Sequence, residues 1–112
     1  MSNNPLTILT KIRALFGDAE AQKEIGYHLF MAKQHSDKAA KFMKTAAEKG
    51  NTDAQILMAT FYILGFGVEK NNEKVFYWYN RASESGSASA YHSLGWCYEQ
   101  GVGVKPDPNK TL

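Results

Sequence analysis

Two groups of residues in this 112-residue chain are of types that do chemistry. The first is Gly65-Phe66-Gly67, inside "LGFGVEKNN" from Leu64 to Asn72. Paired glycines let backbone N–H groups close on a phosphate, but a dinucleotide fingerprint also needs a third glycine, a preceding strand and a helix opening directly after the loop. A P-loop needs a Gly-Lys-Ser/Thr tail, so that an ammonium and a hydroxyl join those N–H groups. Neither tail is present. The same shape returns in "EQGVGVKPD" from Glu99 to Asp107. A turn repeated at an interval reads as architecture rather than as a nucleotide site.

The second group is His28, His35, His92 and the single cysteine, Cys97. His92 and Cys97 lie five apart, about 140° around a helix, so they cannot share one metal-ligand position. No carboxylate–histidine pair recurs with metal spacing. Cys97 as a nucleophile would need a neighbouring base and a lowered pKa. The residues therefore predict no catalytic group, no metal and no cofactor, and an enzyme is not expected.

Composition narrows the class. Hydrophobic residues make up 44% and charged residues 21%, ordinary proportions for one globular domain. A net charge of +2 is too small to argue for nucleic acid or a membrane surface. One cysteine leaves no intrachain disulfide and fits a reducing compartment, and the N-terminus "MSNNPLTILTKIRALFGD" lacks the pattern of a secretory signal, so the cytoplasm is expected. No apolar run approaches the roughly 18 residues that span a bilayer.

The elements that would position these residues repeat. "GDAEAQ" at Gly17, "GNTDAQ" at Gly50 and "GSASAY" at Gly86 begin three units, their glycines 33 and then 36 residues apart. Aligned on Ala21, Ala54 and Ala90, the units place small Gly26, Ala59 and Gly95 five residues on, and large Leu29, Tyr62 and Tyr98 eight residues on. The Gly-x-Gly-Val turn is Gly65, Gly67 and Val68 in the second unit and Gly101, Gly103 and Val104 in the third; the first unit lacks three residues there. Beyond it Phe42 pairs with Trp78 and Ala46 with Ala82. Each unit is then two apolar-periodic helices around a glycine-bearing turn, with small residues where the helices approach.

Gly50 and Gly86 are expected to close the second helix of a unit in the left-handed conformation. Asp53 and Ser89 are expected to cap the next one. "VFYWY", Val75 to Tyr79, would read as a strand in isolation, but its counterpart "AAKFM" is helical and the register makes it a helix. In "PLTILTKIRALF", residues 5–16, Leu6, Leu9, Ile12, Leu15 and Phe16 share one face, predicting an N-terminal helix that caps the first unit, the other reading being a membrane or partner helix. The sequence ends at "NKTL", where a second helix of the third unit is due. Leu94, Cys97 and Tyr98 would lack that helix's cover, so the chain is a fragment of a longer array, a short protein with a docked tail, or one half of a homodimer joined through the third unit.

The columns, as "AQILMATFYILGFGVEKNNEKVFYWYNRASESG" and "AYHSLGWCYEQGVGVKPD", resemble the Sel-one-like repeats, the roughly 36-residue cousins of tetratricopeptide repeats. Ala59 stands where glycine is usual, and Val75 and Thr111 where alanine is usual. The resemblance implies an all-α, right-handed α-solenoid of about two and a half repeats, at 17–49, 50–85 and 86–112, behind a capping helix at 1–16. It also implies protein–protein interaction as an adaptor or regulator. Some disulfide-rich members are linked to β-lactam binding, but the paired cysteines are missing here. The family's bacterial settings suggest, as an alternative, an immunity protein that neutralises a secreted effector.

In tetratricopeptide relatives the first helices line a concave groove. The matching positions here are Lys23, Glu24, Tyr27, Phe30 and Met31, then Leu57, Thr60 and Ile63, then His92, Ser93, Trp96, Glu99 and Gln100. Tyr27, Phe30, Met31, Ile63 and Trp96 are apolar where solvent would favour polar side chains, which suits a partner surface. Lys23, Glu24 and Glu99 would orient a peptide or helix at the rim. His28 falls in the buried column of Phe61 and Cys97, and His35 in the solvated, shortened turn. Base stacking on the same aromatics would need a basic track, which a nearly balanced chain lacks.

Overall fold

A computed structural model describes residues 7–107, and all of its regular structure is helical: α1 (Ile8–Leu15), α2 (Ala19–Met31), α3 (Ser36–Glu48), α4 (Thr52–Leu64), α5 (Asn72–Glu84) and α6 (Ala88–Gln100). Each helix packs on its neighbours in chain order, so α2/α3 and α4/α5 are hairpins and α6 opens a third. The all-α helical-repeat fold read from the columns is the fold observed. Residues 75–79 are helical within α5: Val75, Trp78 and Tyr79 are buried, and tertiary burial overrides their strand propensity.

The repeated units share their caps. Asp18, Asn51 and Ser87 each accept a hydrogen bond from the backbone N–H of the alanine three residues on, at 3.0, 2.9 and 3.1 Å. These residues, not Asp53 and Ser89, cap the first helices. The expected positions are the second residues of their helices, while the N–H groups of Ala54 and Ala90 are taken by the residue just before each helix. Gly50 and Gly86 close α3 and α5 with φ of +96° and +87°, as expected.

Between hairpins the second glycine of the turn does the packing. Gly67 has φ +69°, and its Cα faces the Ser36 carbonyl at the start of α3; Gly103 repeats this, with φ +70°, against the Asn72 carbonyl of α5. The turn of each unit therefore rests on the preceding unit. In the shortened first turn Lys33 and His35, at φ +55° and +47°, take the left-handed conformations that glycines supply elsewhere.

Helix α1 follows the register of a second helix. Gln22 Nε2 donates to the Ala14 carbonyl of α1 at 3.2 Å, as Gln55 Nε2 donates to the Ala47 carbonyl of α3 at 3.1 Å. Thr10 and Ala14 make the buried contact with α2. The stripe expected to turn inward does not: Leu9, Ile12, Leu15 and Phe16 are exposed, together with Ile8, while Leu6 lies outside the described residues. Small Thr10 and Ala14 allow the close approach that larger side chains on that face would prevent.

At the other end Leu94 and Cys97 are buried, so their expected loss of cover does not occur. Both pack into the core formed with α4 and α5. Tyr98 stacks edge-on against Phe76 of α5, ring centroids 5.6 Å apart, and its carbonyl accepts the Asp107 N–H at 2.8 Å. The segment "NKTL" lies outside the described residues.

Burial lifts the Cys97 thiol from an ordinary 9.0 to about 11. The unfolded thiol then ionises first, so the unfolded state holds fewer protons and stability falls as pH rises from 9.0 toward about 11. Ellman's reagent is expected to leave Cys97 of the folded chain unmodified over minutes at neutral pH and to react at once in urea. Equal rates in both states would place the thiol at the surface.

Candidate groove on the first-helix layer

The first helices α2, α4 and α6 line an open cleft of about 750 Å³. From α2 come Glu20, Lys23, Glu24, Tyr27, His28 and Met31. Helix α4 adds Asp53, Ile56 and Leu57, and the start of α6 adds Ser87 and Ser89. Positions 20, 24, 27 and 31 fall on one face of α2, and 53, 56 and 57 on one face of α4, by the three- and four-residue helical spacing. Tyr27, Met31, Ile56 and Leu57 form an apolar floor, with Tyr27 46% and Met31 60% exposed.

Charge gathers at one end of the floor. Lys23 Nζ lies 2.7 Å from Glu20 Oε2 and 3.6 Å from Asp53 Oδ2. Asn51, the cap of α4, donates to Glu20 Oε1 at 3.1 Å, so one network ties the two hairpins together. Burial works against the Lys23 ammonium, but the Glu20 hydrogen bond and the charges of Glu20 and Asp53 outweigh it and hold its pKa above the ordinary value. The Lys23 hydrogen bond, joined by that from Asn51, pulls the Glu20 carboxyl below its ordinary range. Three carboxylates (Glu20, Glu24, Asp53) meet one ammonium (Lys23), leaving this end negative. Glu24 has no salt bridge among the described residues.

Of the positions expected to face a groove, Lys23, Glu24, Tyr27, Met31 and Leu57 line the cleft. Phe30 does not: it turns into the junction between the first two units, 5.0 Å from Phe61 and 5.1 Å from Phe66 between ring centroids. Thr60 and Ser93 are hydrogen-bond partners of the Tyr79 hydroxyl of α5, whose pKa burial raises. Ile63, His92, Trp96, Glu99 and Gln100 lie outside the lining but remain solvent-exposed on α4 and α6. His35 is exposed.

Glu20, His28, Asp53, Ile56, Ser87 and Ser89 are lining residues that the sequence reading left out. The register held a signal for four of them. Ile56 shares a column with Lys23 and His92, and Glu20, Asp53 and Ser89 share the column one place before the aligned alanines. His28 reverses its expectation. Its column partners Phe61 and Cys97 are fully buried, yet His28 is half-buried on the cleft wall: Phe30 of the preceding first helix and Phe66 cover Phe61, whereas among the described residues no first helix precedes α2.

Among the described residues no three His, Cys, Asp or Glu side chains converge on a point that could hold a metal ion. No helix among them is long and apolar enough to cross a membrane.

The Sel1 repeat model matches residues 19–51, 52–87 and 88–112. The chain is 31% identical over 109 residues to chitin synthase regulatory factor 3 of Schizosaccharomyces pombe, an alignment covering 92% of this chain and 12% of that protein. It thus spans about an eighth of that relative's length. The crystal structure of a Sel1 repeat protein from Oxalobacter formigenes superimposes with a TM-score of 0.89 at 28% identity, covering 98% of this chain and 86% of that one. A protective antigen present in uropathogenic Escherichia coli strains, displaying an SLR fold, gives 0.88 at 32% identity, over 97% of this chain and 24% of that one.

Proposed function

Because the chain belongs to the Sel1 repeat family, whose members serve in protein–protein interaction, we propose that it is an adaptor that holds a segment of a partner protein in the cleft of its first-helix layer. The observation that carries this reading is the apolar floor of exposed Tyr27 and Met31 and half-buried Ile56 and Leu57, bounded by a negative rim. Exposed aromatic and methionine side chains gathered in a concavity lower the cost of burying a partner's apolar side chains, and a rim charge sets orientation. A regulator among the relatives agrees with binding rather than catalysis. The cleft brings together carboxylates, one lysine, one half-buried histidine and two serines, of which Ser87 accepts the Ala90 N–H as the cap of α6.

Twelve-residue peptides selected by display against the full chain provide the test. Tyr27→Ala and Met31→Ala are each expected to weaken the selected peptides by roughly tenfold, with little change in melting temperature because both side chains are exposed. Trp96→Ala, outside the lining on α6, should change affinity by less than about threefold. Unchanged affinity in both groove variants would move the partner surface elsewhere.

A further inference from the structure

Helix α1 carries the largest unexplained apolar surface among the described residues. Ile8 is 76%, Leu15 83% and Phe16 87% exposed, and Ile12 completes the stripe. On a helical wheel these four lie within about 100°, opposite Thr10 and Ala14, which pack on α2. Lys11 and Arg13 flank the stripe on its two sides, and both are exposed.

The exposure follows from register rather than from the position of α1 in the chain. Through the aligned glycines, Ile8, Leu15 and Phe16 correspond to Lys41 and Glu48 of α3 and its C-cap Lys49, and to Tyr77 and Glu84 of α5 and its C-cap Ser85. Every one of those six is exposed, although α3 and α5 have a helix on either side. A further hairpin before α1 would leave the stripe outward. Leu9 and Ile12 differ, since Phe42 and Trp78, the counterparts of Leu9, are half-buried and buried, and Thr45 and Arg81, those of Ile12, are half-buried. Three outer positions that are mostly charged in α3 and α5 are therefore apolar in α1.

The cleft has the complementary character. Its floor is apolar and its rim negative, whereas the stripe is apolar with cations at its edges. Lys11 has no salt bridge among the described residues, whereas Arg13 gives its Nε to Asp18, at 2.9 Å, and its charge already acts on Glu24 and Glu20 of its own copy. Both surfaces belong to one molecule, and α1 turns Thr10 and Ala14 toward α2 and its stripe away from it, so the stripe itself reaches a cleft only in a second copy.

We infer that the α1 stripe of one copy seats in the cleft of a second copy, Ile12, Leu15 and Phe16 on the apolar floor and Lys11 toward Glu24. This rests on the cleft being a binding groove. The contact is heterologous: each copy keeps one free stripe and one free cleft, so copies add head to tail.

Light scattering of the full chain between roughly 10 µM and 1 mM tests it. The mass is expected to climb past twice 12.5 kDa without levelling at a dimer. A stripe variant (Leu15→Glu with Phe16→Glu) and a groove variant (Tyr27→Lys with Met31→Lys), all at exposed positions, should each associate at least about tenfold more weakly. An equimolar mixture of the two should form a dimer and stop, because only one productive contact remains. A monomeric wild-type chain overturns the inference, as does association that survives the groove variant. Binding of a monomeric wild-type chain to phosphatidylserine vesicles, lost in the stripe variant, would make α1 a lipid contact instead. If the chain is monomeric while selected peptides still need Tyr27 and Met31, self-association alone fails; if the peptides ignore those residues too, the groove fails with it.

Discussion

Gly67→Ala is expected to destabilise the chain by about 4 kcal/mol, enough to leave much of it unfolded at 37 °C. Two costs combine. Alanine at φ +69° carries the left-handed penalty of about 1–2 kcal/mol. The added Cβ would also overlap the Ser36 carbonyl oxygen and crowd the Ala40 side chain, so the turn must lift off the first turn of α3. That contact is part of the junction between consecutive units, and a repeat array draws its stability from such nearest-neighbour junctions. Gly50→Ala separates the two costs. Its φ of +96° is also left-handed, but a Cβ there meets nothing within 4 Å, so only the conformational penalty of about 1–2 kcal/mol should remain. Urea unfolding followed by circular dichroism gives both values. Equal midpoint shifts for the two variants would mean that the turn does not bear on α3.

Phe61→Ala is the second large effect, at about 3–5 kcal/mol. Phe61 is fully buried, with ring centroids 5.0 Å from Phe30 and 5.2 Å from Phe66, and Phe30 and Phe66 pack edge-on at 5.1 Å. Truncation removes one ring and leaves the other two without a third side to pack on. The register shows why the loss is local. One unit on, the counterparts of the trio are Ile63, Cys97 and Val102, so no second aromatic cluster of this kind can compensate. Phe61→Leu, which refills most of the space, should recover more than half of the loss. A Phe61→Ala variant as stable as the parent in urea would show that the first two hairpins are held together elsewhere.

The trio also marks where reading along the chain stops. Phe30 shares a column with Ile63 and Glu99, both exposed, and by column alone it belongs to the groove. It leaves that surface because Phe66, from the turn of the next unit, stands against it. Phe66 comes from a loop 36 residues on, and no periodicity within α2 reports its position. His28 makes the reverse move. Its column is buried where a preceding first helix and the following turn cover it, as Phe30 and Phe66 cover Phe61, and it opens to the cleft in α2, which among the described residues follows only α1.

The sequence by itself determined the hairpin repeat, its period and its glycine turns. Those features are local or recur in register, so each copy corroborates the others. Tertiary structure alone decided which way the faces point. A helical stripe says which side chains lie together, but packing partners choose the side that is buried, and in α1 the small face wins over the large one because it lets the helices close. The same choice placed Phe30 inside, drew Glu20 and Asp53 around Lys23, and covered Leu94 and Cys97 with α4 and α5.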